Sequence, residues 1–246
     1  MTKKREPKKY PITIEHRWDI LYSQYPEKYD EFASYESEQD EKTLLHNMFD
    51  FNNKEIIDIG SGTGTSTLYL AEYAKRVIGV EPESAMIKEA ERKAKKLGIK
   101  KVSFVEGTAQ NIPLPDSSVD VVVGMTFNDY PPETVVPAFV NEATRVVRSG
   151  GLIVTTNVAP GWYGGELFDV IQHNLEGAPE ERHRQYVDVA GFDWHDVYSI
   201  TDYGSLENII SAYGFIFGMN AIDYLRKHNK TTIKWGWRRH FKTVYK

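Results

Sequence analysis

Five short apolar runs constrain this chain more than any other feature: EIIDI (55–59), RVIGV (76–80), KVSFVE (101–106), VDVVV (119–123) and GLIVTT (151–156). Strands that are apolar on both faces must be covered on both, and the intervening segments near 64–75, 83–97 and 133–148 have helical length. Helices between such strands are crossovers of βαβ units, which build a parallel sheet between two helical layers. Helix 83–97 carries its own stop signal: Lys95 and Lys96 put cations in the last turn, and Gly98 stands where a left-handed residue ends a helix. With 246 residues, 41% of them hydrophobic, the chain can bury one sizeable core. These features predict a doubly wound α/β domain, its sheet strands lying mainly in 54–157.

On either side the pattern changes. Residues 1–11 are basic and lack an apolar period, the composition of a mobile tail. In 12–53 three short helices are expected. Trp18, Tyr22 and Tyr25 fall on one face until Pro26 interrupts, Tyr29 and Phe32 continue the stripe, and Leu44, Leu45, Met48 and Phe49 make a third face. Such a stripe can be ordinary core. In 158–202, glycine and proline punctuation with scattered aromatics reads as an inserted cap beside a substrate pocket. Segment 203–246 returns to the sheet, with a helix near 203–213, a strand near 214–219 and a final strand across 231–245.

Charge and composition exclude several classes. A formal net charge of −5 lacks the basic excess that nucleic acid or an anionic membrane surface demands, so neither is expected as a partner. No apolar run approaches bilayer length and no apolar segment follows the basic start, so the expected location is the cytoplasm. There is no cysteine, hence no disulfide and no thiolate chemistry. The seven histidines show no HxxxH or HExxH spacing, and no metal site is expected.

The segment Asp58-Ile59-Gly60-Ser61-Gly62-Thr63-Gly64 follows an apolar strand and opens a helix. Glycines there permit positive φ and close approach of a ligand to the backbone, while unpaired helix-start N–H groups attract negative charge. A dinucleotide GxGxxG would need glycine at Thr65 or Thr67, and no GK[ST] follows to make a phosphate loop. Downstream, Gly79-Val80-Glu81 ends the second strand with a carboxylate able to accept both hydroxyls of a ribose.

With these two motifs and the run Gly107-Thr108-Ala109-Gln110-Asn111-Ile112-Pro113, leading through Asp116 to Val119-Asp120, the sequence resembles class I methyltransferases that use S-adenosylmethionine (SAM). The resemblance covers roughly 54–157 and lies nearest the small-molecule branch typified by ubiquinone and menaquinone biosynthesis. It implies a seven-strand Rossmann-like sheet whose last strand is antiparallel, N-terminal lid helices, and SAM as cofactor with S-adenosylhomocysteine as product. By position, Gly60, Gly62 and Gly64 would flank the methionine part of SAM, Asp58 would orient the loop, and Glu81 would hold the ribose. Thr108 and Ala109 would face the adenine, with Ser61, Thr63, Pro82, Gln110 and Met125 completing the set. Thr108 departs from the aspartate usual in the family and offers only a neutral acceptor.

The acceptor side is read from the strand ends, because ligands of open parallel sheets bind beyond the carboxyl ends. Asp129 and Tyr130 are the candidate base and its hydrogen-bond partner, and Asn128, Asn157, Trp162 and Tyr163 are candidates to border the methyl group. Trp18, Tyr22 and Tyr29 are candidate lid residues. Asp129 has an equally good alternative role as the cap of a helix starting near Pro131. The expected chemistry is methyl transfer to an N, O or C nucleophile of a small molecule. The rival readings are an RNA or protein methyltransferase and a SAM-binding protein without catalysis.

Overall fold

The structure, a computed structural model, describes residues 10–38, 41–171 and 178–246. Most of the expected tail (1–9) and six residues of the expected cap (172–177) lie outside them. Three helices come first: α1 (Trp18–Gln24), α2 (Pro26–Glu38) and α3 (Glu41–Met48). The alternating region follows as β1 (Glu55–Ile59), α4 (Thr65–Leu70), β2 (Arg76–Glu81), α5 (Ser84–Leu97), β3 (Val102–Glu106), β4 (Val119–Met125), α6 (Pro132–Val146) and β5 (Val147–Val158). The chain ends with α7 (Phe168–Ile171), α8 (Ala178–Arg184), β6 (Asp193–Asp202), α9 (Leu206–Ile209), α10 (Phe215–Phe217), α11 (Met219–His228) and β7 (Thr232–Val244).

The seven strands form one sheet in the order β3-β2-β1-β4-β5-β7-β6. Strands β1 to β5 are mutually parallel, and β7, the last in sequence, runs antiparallel between β5 and β6. This is the doubly wound, Rossmann-like arrangement expected. Period-two alternation explains the two layers. Ile57 and Ile59 of β1, with Val80 and Val122, pack under Val136, Phe139 and Ala143 of α6. Ile56, with Val77, Val121 and Val123, faces the other way onto Leu45, Leu70 and Ala71. Helix α5 ends as its sequence dictates: Gly98 is left-handed (φ 69°), and Ile99 N–H donates to Ala94 O at 3.0 Å.

Beyond the carboxyl end of the parallel strands the structure departs from expectation. Strand β5 stops at Val158, opposite Trp237, but the β6–β7 pair continues outward to Asp202 opposite Thr232. One face of this projecting ribbon carries Ile233, Trp235 and Trp237 into a third core with Leu21, Phe32, Tyr203, Tyr213 and Phe217. The sixth strand is therefore 193–202, inside the segment assigned to the cap, and not 214–219. Its inward residues Val197, Ser199 and Thr201 alternate with exposed Tyr198, Ile200 and Asp202, a half-polar edge pattern that lacks the apolar signature of the buried strands. Residues 212–217 are all buried, the five hydrophobic ones at 0–2% exposure, and an apolar run buried on every side gives no period from which helix could be told from strand. They form α10 and the π-turn before it.

The N-terminal segment is built into this third core. Ile14 and His16 donate backbone N–H groups to Phe215 O and Ile216 O at 2.8 and 2.9 Å. The Glu15 carboxylate accepts Met219 N–H at 3.0 Å, at the start of α11. Tyr10, placed in the expected tail, donates its hydroxyl to Glu27 at 2.9 Å and meets the Phe215 ring edge-on at 6.3 Å.

Candidate functional site

The strand order reverses between β1 and β4, and the glycine loop sits at that point. Gly60, Gly62 and Gly64 all have positive φ (67°, 55° and 82°). Gly60 N–H and Ser61 N–H donate to Val80 O at 2.8 and 3.2 Å, which ties the loop to the end of β2. A Cβ on Gly60 would lie 2.4 Å from Phe127 Cβ, so Phe127, just past β4, packs where only glycine fits. Asp58 braces the loop from below: its Oδ2 accepts Ser66 Oγ at 2.7 Å and Thr67 Oγ1 at 2.6 Å.

Glu81 is held at the end of β2 by two backbone donors. Gly62 N–H reaches its Oε2 and Glu83 N–H its Oε1, each at 3.0 Å. Burial raises the pKa of this carboxyl, and the two backbone hydrogen bonds pull it back. Each oxygen spends one acceptor position inside the protein and retains another. Ser61 Oγ is buried with no hydrogen-bond partner among the described residues. A glycine cradle, an unsatisfied buried hydroxyl and a braced carboxylate together fit a nucleoside bearing a polar tail, as SAM does.

Helix α2 covers the loop. The Tyr29 ring stands 3.1 Å from where a Gly62 Cβ would be. Asp30 accepts Thr63 Oγ1 at 3.0 Å and is ion-paired with Lys93 of α5, which also donates to Thr65 Oγ1 at 3.1 Å. Sequence reading missed Asp30 and Lys93, because charged residues on short helices resemble any solvated face. The remaining cofactor candidates flank this centre. Pro82, Thr108 and Gln110 are exposed at the ends of β2 and β3, Met125 is half-buried at the end of β4, and Ala109 is buried among Val80 and Ile112. Ala109 thus packs its methyl group into the core beneath the loop, between exposed Thr108 and Gln110.

On the acceptor side the structure separates residues that the sequence grouped. Asp129 is 1% exposed, and its Oδ2 accepts Arg182 Nε of α8 at 2.6 Å and Asn157 Nδ2 at 3.2 Å. Burial raises its pKa while the guanidinium opposes that rise. Its Oδ2 is thus committed to Arg182 and Asn157. Asp129 does not cap α6, whose N-cap is Pro131 with no side-chain hydrogen bond. Tyr130 is 60% exposed on an open cavity of about 670 Å³ lined also by Pro131, Pro132, Glu133 and residues of α8. Asn128 is exposed and accepts Tyr130 N–H at 3.2 Å.

Trp162 and Tyr163 turn to opposite faces of the ribbon. Trp162 lies on Gly236, where a Cβ would be 2.5 Å from the indole, and Tyr163 joins the third core beside Phe217. There Trp18 Nε1 donates to Tyr163 Oη at 2.8 Å. Ring centroids of Trp18 and Tyr22 are 5.8 Å apart and those of Tyr22 and Tyr29 5.4 Å, so an aromatic wall runs from the glycine loop to Tyr163. Among the described residues no group of three or more His, Asp or Glu could hold a metal ion, and no helix is long and apolar enough to cross a membrane.

Residues 56–151 match a family of methyltransferase domains. An uncharacterized methyltransferase of Bacillus subtilis is 31% identical over 110 residues, 43% of this chain and 41% of its own length. Its crystal structure superposes with a TM-score of 0.56 at 18% identity, covering 81% of this chain and 95% of that one. The demethylmenaquinone methyltransferase of Geobacillus stearothermophilus is 31% identical over 46% of this chain and 49% of its own. A SAM-dependent methyltransferase from Aquifex aeolicus shares the fold with a TM-score of 0.54 at 16% identity, over 85% of this chain and 92% of that one. The matched region spans about half the length of these curated relatives.

Proposed function

We propose that this chain, whose residues 56–151 match a family of methyltransferase domains, transfers the methyl group of SAM to a small-molecule nucleophile. The observation that carries the cofactor half is Glu81: a buried carboxylate at the end of β2, oriented by Gly62 and Glu83 N–H groups and adjacent to three glycines of positive φ. Glu81 would take the ribose hydroxyls, the Gly60–Gly64 backbone the methionine portion, and Tyr29 would close over the loop. When bound, SAM supplies an electrophilic methyl group on a sulfonium. The protein contributes alignment and exclusion of water, the chief needs of an in-line displacement.

The small-molecule reading draws on three things: the net charge of −5, the wall of Trp18, Tyr22, Tyr29 and Tyr163 suited to a flat apolar acceptor, and the likeness to a demethylmenaquinone methyltransferase. Calorimetry tests the cofactor half. Glu81→Ala is expected to weaken S-adenosylhomocysteine about 10- to 100-fold, the loss of a charged hydrogen-bonding group worth roughly 1.5–3 kcal/mol, and an unchanged Kd refutes the site. Incubation of labelled SAM with metabolite, RNA and protein fractions tests the acceptor class. Label confined to RNA or protein overturns the small-molecule reading.

A further inference from the structure

The glycine loop is covered on the side from which a ligand would approach it. Ser61, Gly62, Thr63 and Gly64 are all buried and Glu81 is 7% exposed, so a nucleoside reaches them only when the cover moves. Helix α2 is part of that cover: Tyr29 Cε1, Oη and Cζ lie 3.1, 3.7 and 3.8 Å from the position of a Gly62 Cβ. The next residue fastens it. Asp30 Oδ1 accepts Thr63 Oγ1 of the loop at 3.0 Å and also the ammonium of Lys93 from α5. The same ammonium donates to Thr63 Oγ1 at 3.3 Å and to Thr65 Oγ1, at the start of α4, at 3.1 Å. We propose that Asp30 and Lys93 form a latch that holds α2 over the glycine loop, and that cofactor enters and leaves only while this latch is open. The proposal rests on the SAM-binding reading above and adds the step that controls cofactor exchange.

Three observations make this pair decisive for α2. Of residues 26–35 only Phe32 is buried, and a helix seated by so little buried apolar surface is among the first parts of a structure to open. Its polar contacts lie on two sides. Lys28 donates to Ser211 Oγ at 2.8 Å beside the third core, while Asp30 faces the loop, so Lys28 and Phe32 keep the helix tethered when Asp30 lets go. The side chains of Asp30 and Lys93 are 26% and 16% exposed, which gives water access to both charges as they part. The latch groups also satisfy one another: the carboxylate accepts, the ammonium donates and the threonine hydroxyls do both. A latch made of protein groups alone forms with cofactor bound and without it.

That property has a kinetic signature. Entry and exit both proceed from the open form, so both rates scale with the fraction of time the latch is open, and their ratio, the Kd, does not. Association is read by rapid mixing of S-adenosylhomocysteine with the protein under tryptophan fluorescence. Release is timed by chasing bound tritiated S-adenosylhomocysteine with an excess of the unlabelled compound. Asp30→Asn keeps the side chain's size and removes its charge. It should speed both steps about tenfold, the equivalent of about 1.4 kcal/mol, and leave the Kd within about threefold. Lys93→Met should do the same. Combining Asp30→Lys with Lys93→Asp should slow exchange again, because the exchanged ammonium can donate to Thr63 and the exchanged carboxylate can accept from Thr65. A weakened Kd with association unaltered would make Asp30 a cofactor contact and overturn the latch. Wild-type rates in both single variants overturn it too, as does a reversed pair that exchanges as fast as they do. Failure of wild-type protein to bind S-adenosylhomocysteine by calorimetry would instead overturn the SAM-binding reading beneath it.

Discussion

Asp129→Asn distinguishes three roles for one carboxylate. As a general base, its loss would cost about 10²–10⁴-fold in rate with little effect on stability, and as a helix cap asparagine would replace it at almost no cost. The structure gives it a third role, as the buried partner of Arg182 at 2.6 Å with Asn157 on the same oxygen. Removing one member of a buried pair costs about 3–5 kcal/mol, because the other charge stays behind without its partner. Arg182 is 15% exposed and retains some hydration, so a loss at or somewhat below the bottom of that range, about 2–3 kcal/mol, is expected. For a chain of 246 residues that is a fall in Tm of about 5–10 °C by calorimetry. S-adenosylhomocysteine affinity should stay within about threefold, since Glu81 and the glycine loop are untouched. Combining Asp129→Asn with Arg182→Gln should recover at least about 1 kcal/mol of the summed single losses. A Tm within about 2 °C of wild type, or additive single losses, would show that the pair does not hold α8 to the sheet.

Two other perturbations follow from the same geometry. Gly62→Val places a β-branched side chain at φ 55° and 3.1 Å from the Tyr29 ring, so titration should show no S-adenosylhomocysteine binding, and wild-type affinity would contradict the loop assignment. His240 is buried against Tyr186, and burial together with the neighbouring His183 lowers its pKa to about 3. The imidazole is neutral in the native state and takes up a proton on unfolding below its ordinary value of about 6.5. Stability should therefore fall as pH drops from about 6.5 towards 3, with this residue contributing a slope of about 1.4 kcal/mol per pH unit. Urea denaturation at pH 7, 6 and 5 should find a shallower dependence in His240→Gln, and identical slopes would exclude the residue from the acid sensitivity.

The glycine loop and the strand-end acid of the candidate cofactor site were legible because they are local. Loop glycines, a strand-end acid and their spacing are fixed by backbone needs that a short window of sequence displays, and Asp58, Gly60, Gly62, Gly64 and Glu81 stand together in the structure. The acceptor side was not, because its groups meet only through tertiary contacts. Arg182 reaches Asp129 across 53 positions of sequence, and Tyr163 reaches Trp18 across 145. Residues 193–202 escaped notice as a strand because an edge strand with polar neighbours needs no continuous apolar run. Trp162 and Tyr163 were grouped by adjacency, yet they sit in the turn after β5, where Trp162 N–H bonds to Ala159 O and Gly165 N–H to Trp162 O, and the turn sends the two rings to different faces.

The hydrogen bonds that join Ile14 and His16 to Phe215 and Ile216 bear on how this molecule is made. During synthesis the strands β1 to β5 can pair while later residues are still in the ribosome, but α1 and α2 then have only α4 and α5 to dock on and lack the third core. The rest of their floor is Trp235, Trp237 and Phe217, which emerge only after the parallel strands. Contacts of such long sequence separation form late, after the entropy of closing the intervening chain has been overcome. The Tyr29 cover over the glycine loop is then one of the final pieces set in place. A ribosome stalled near residue 200 would present a formed glycine loop without its cover, and cofactor added to such a nascent chain would meet an open cleft.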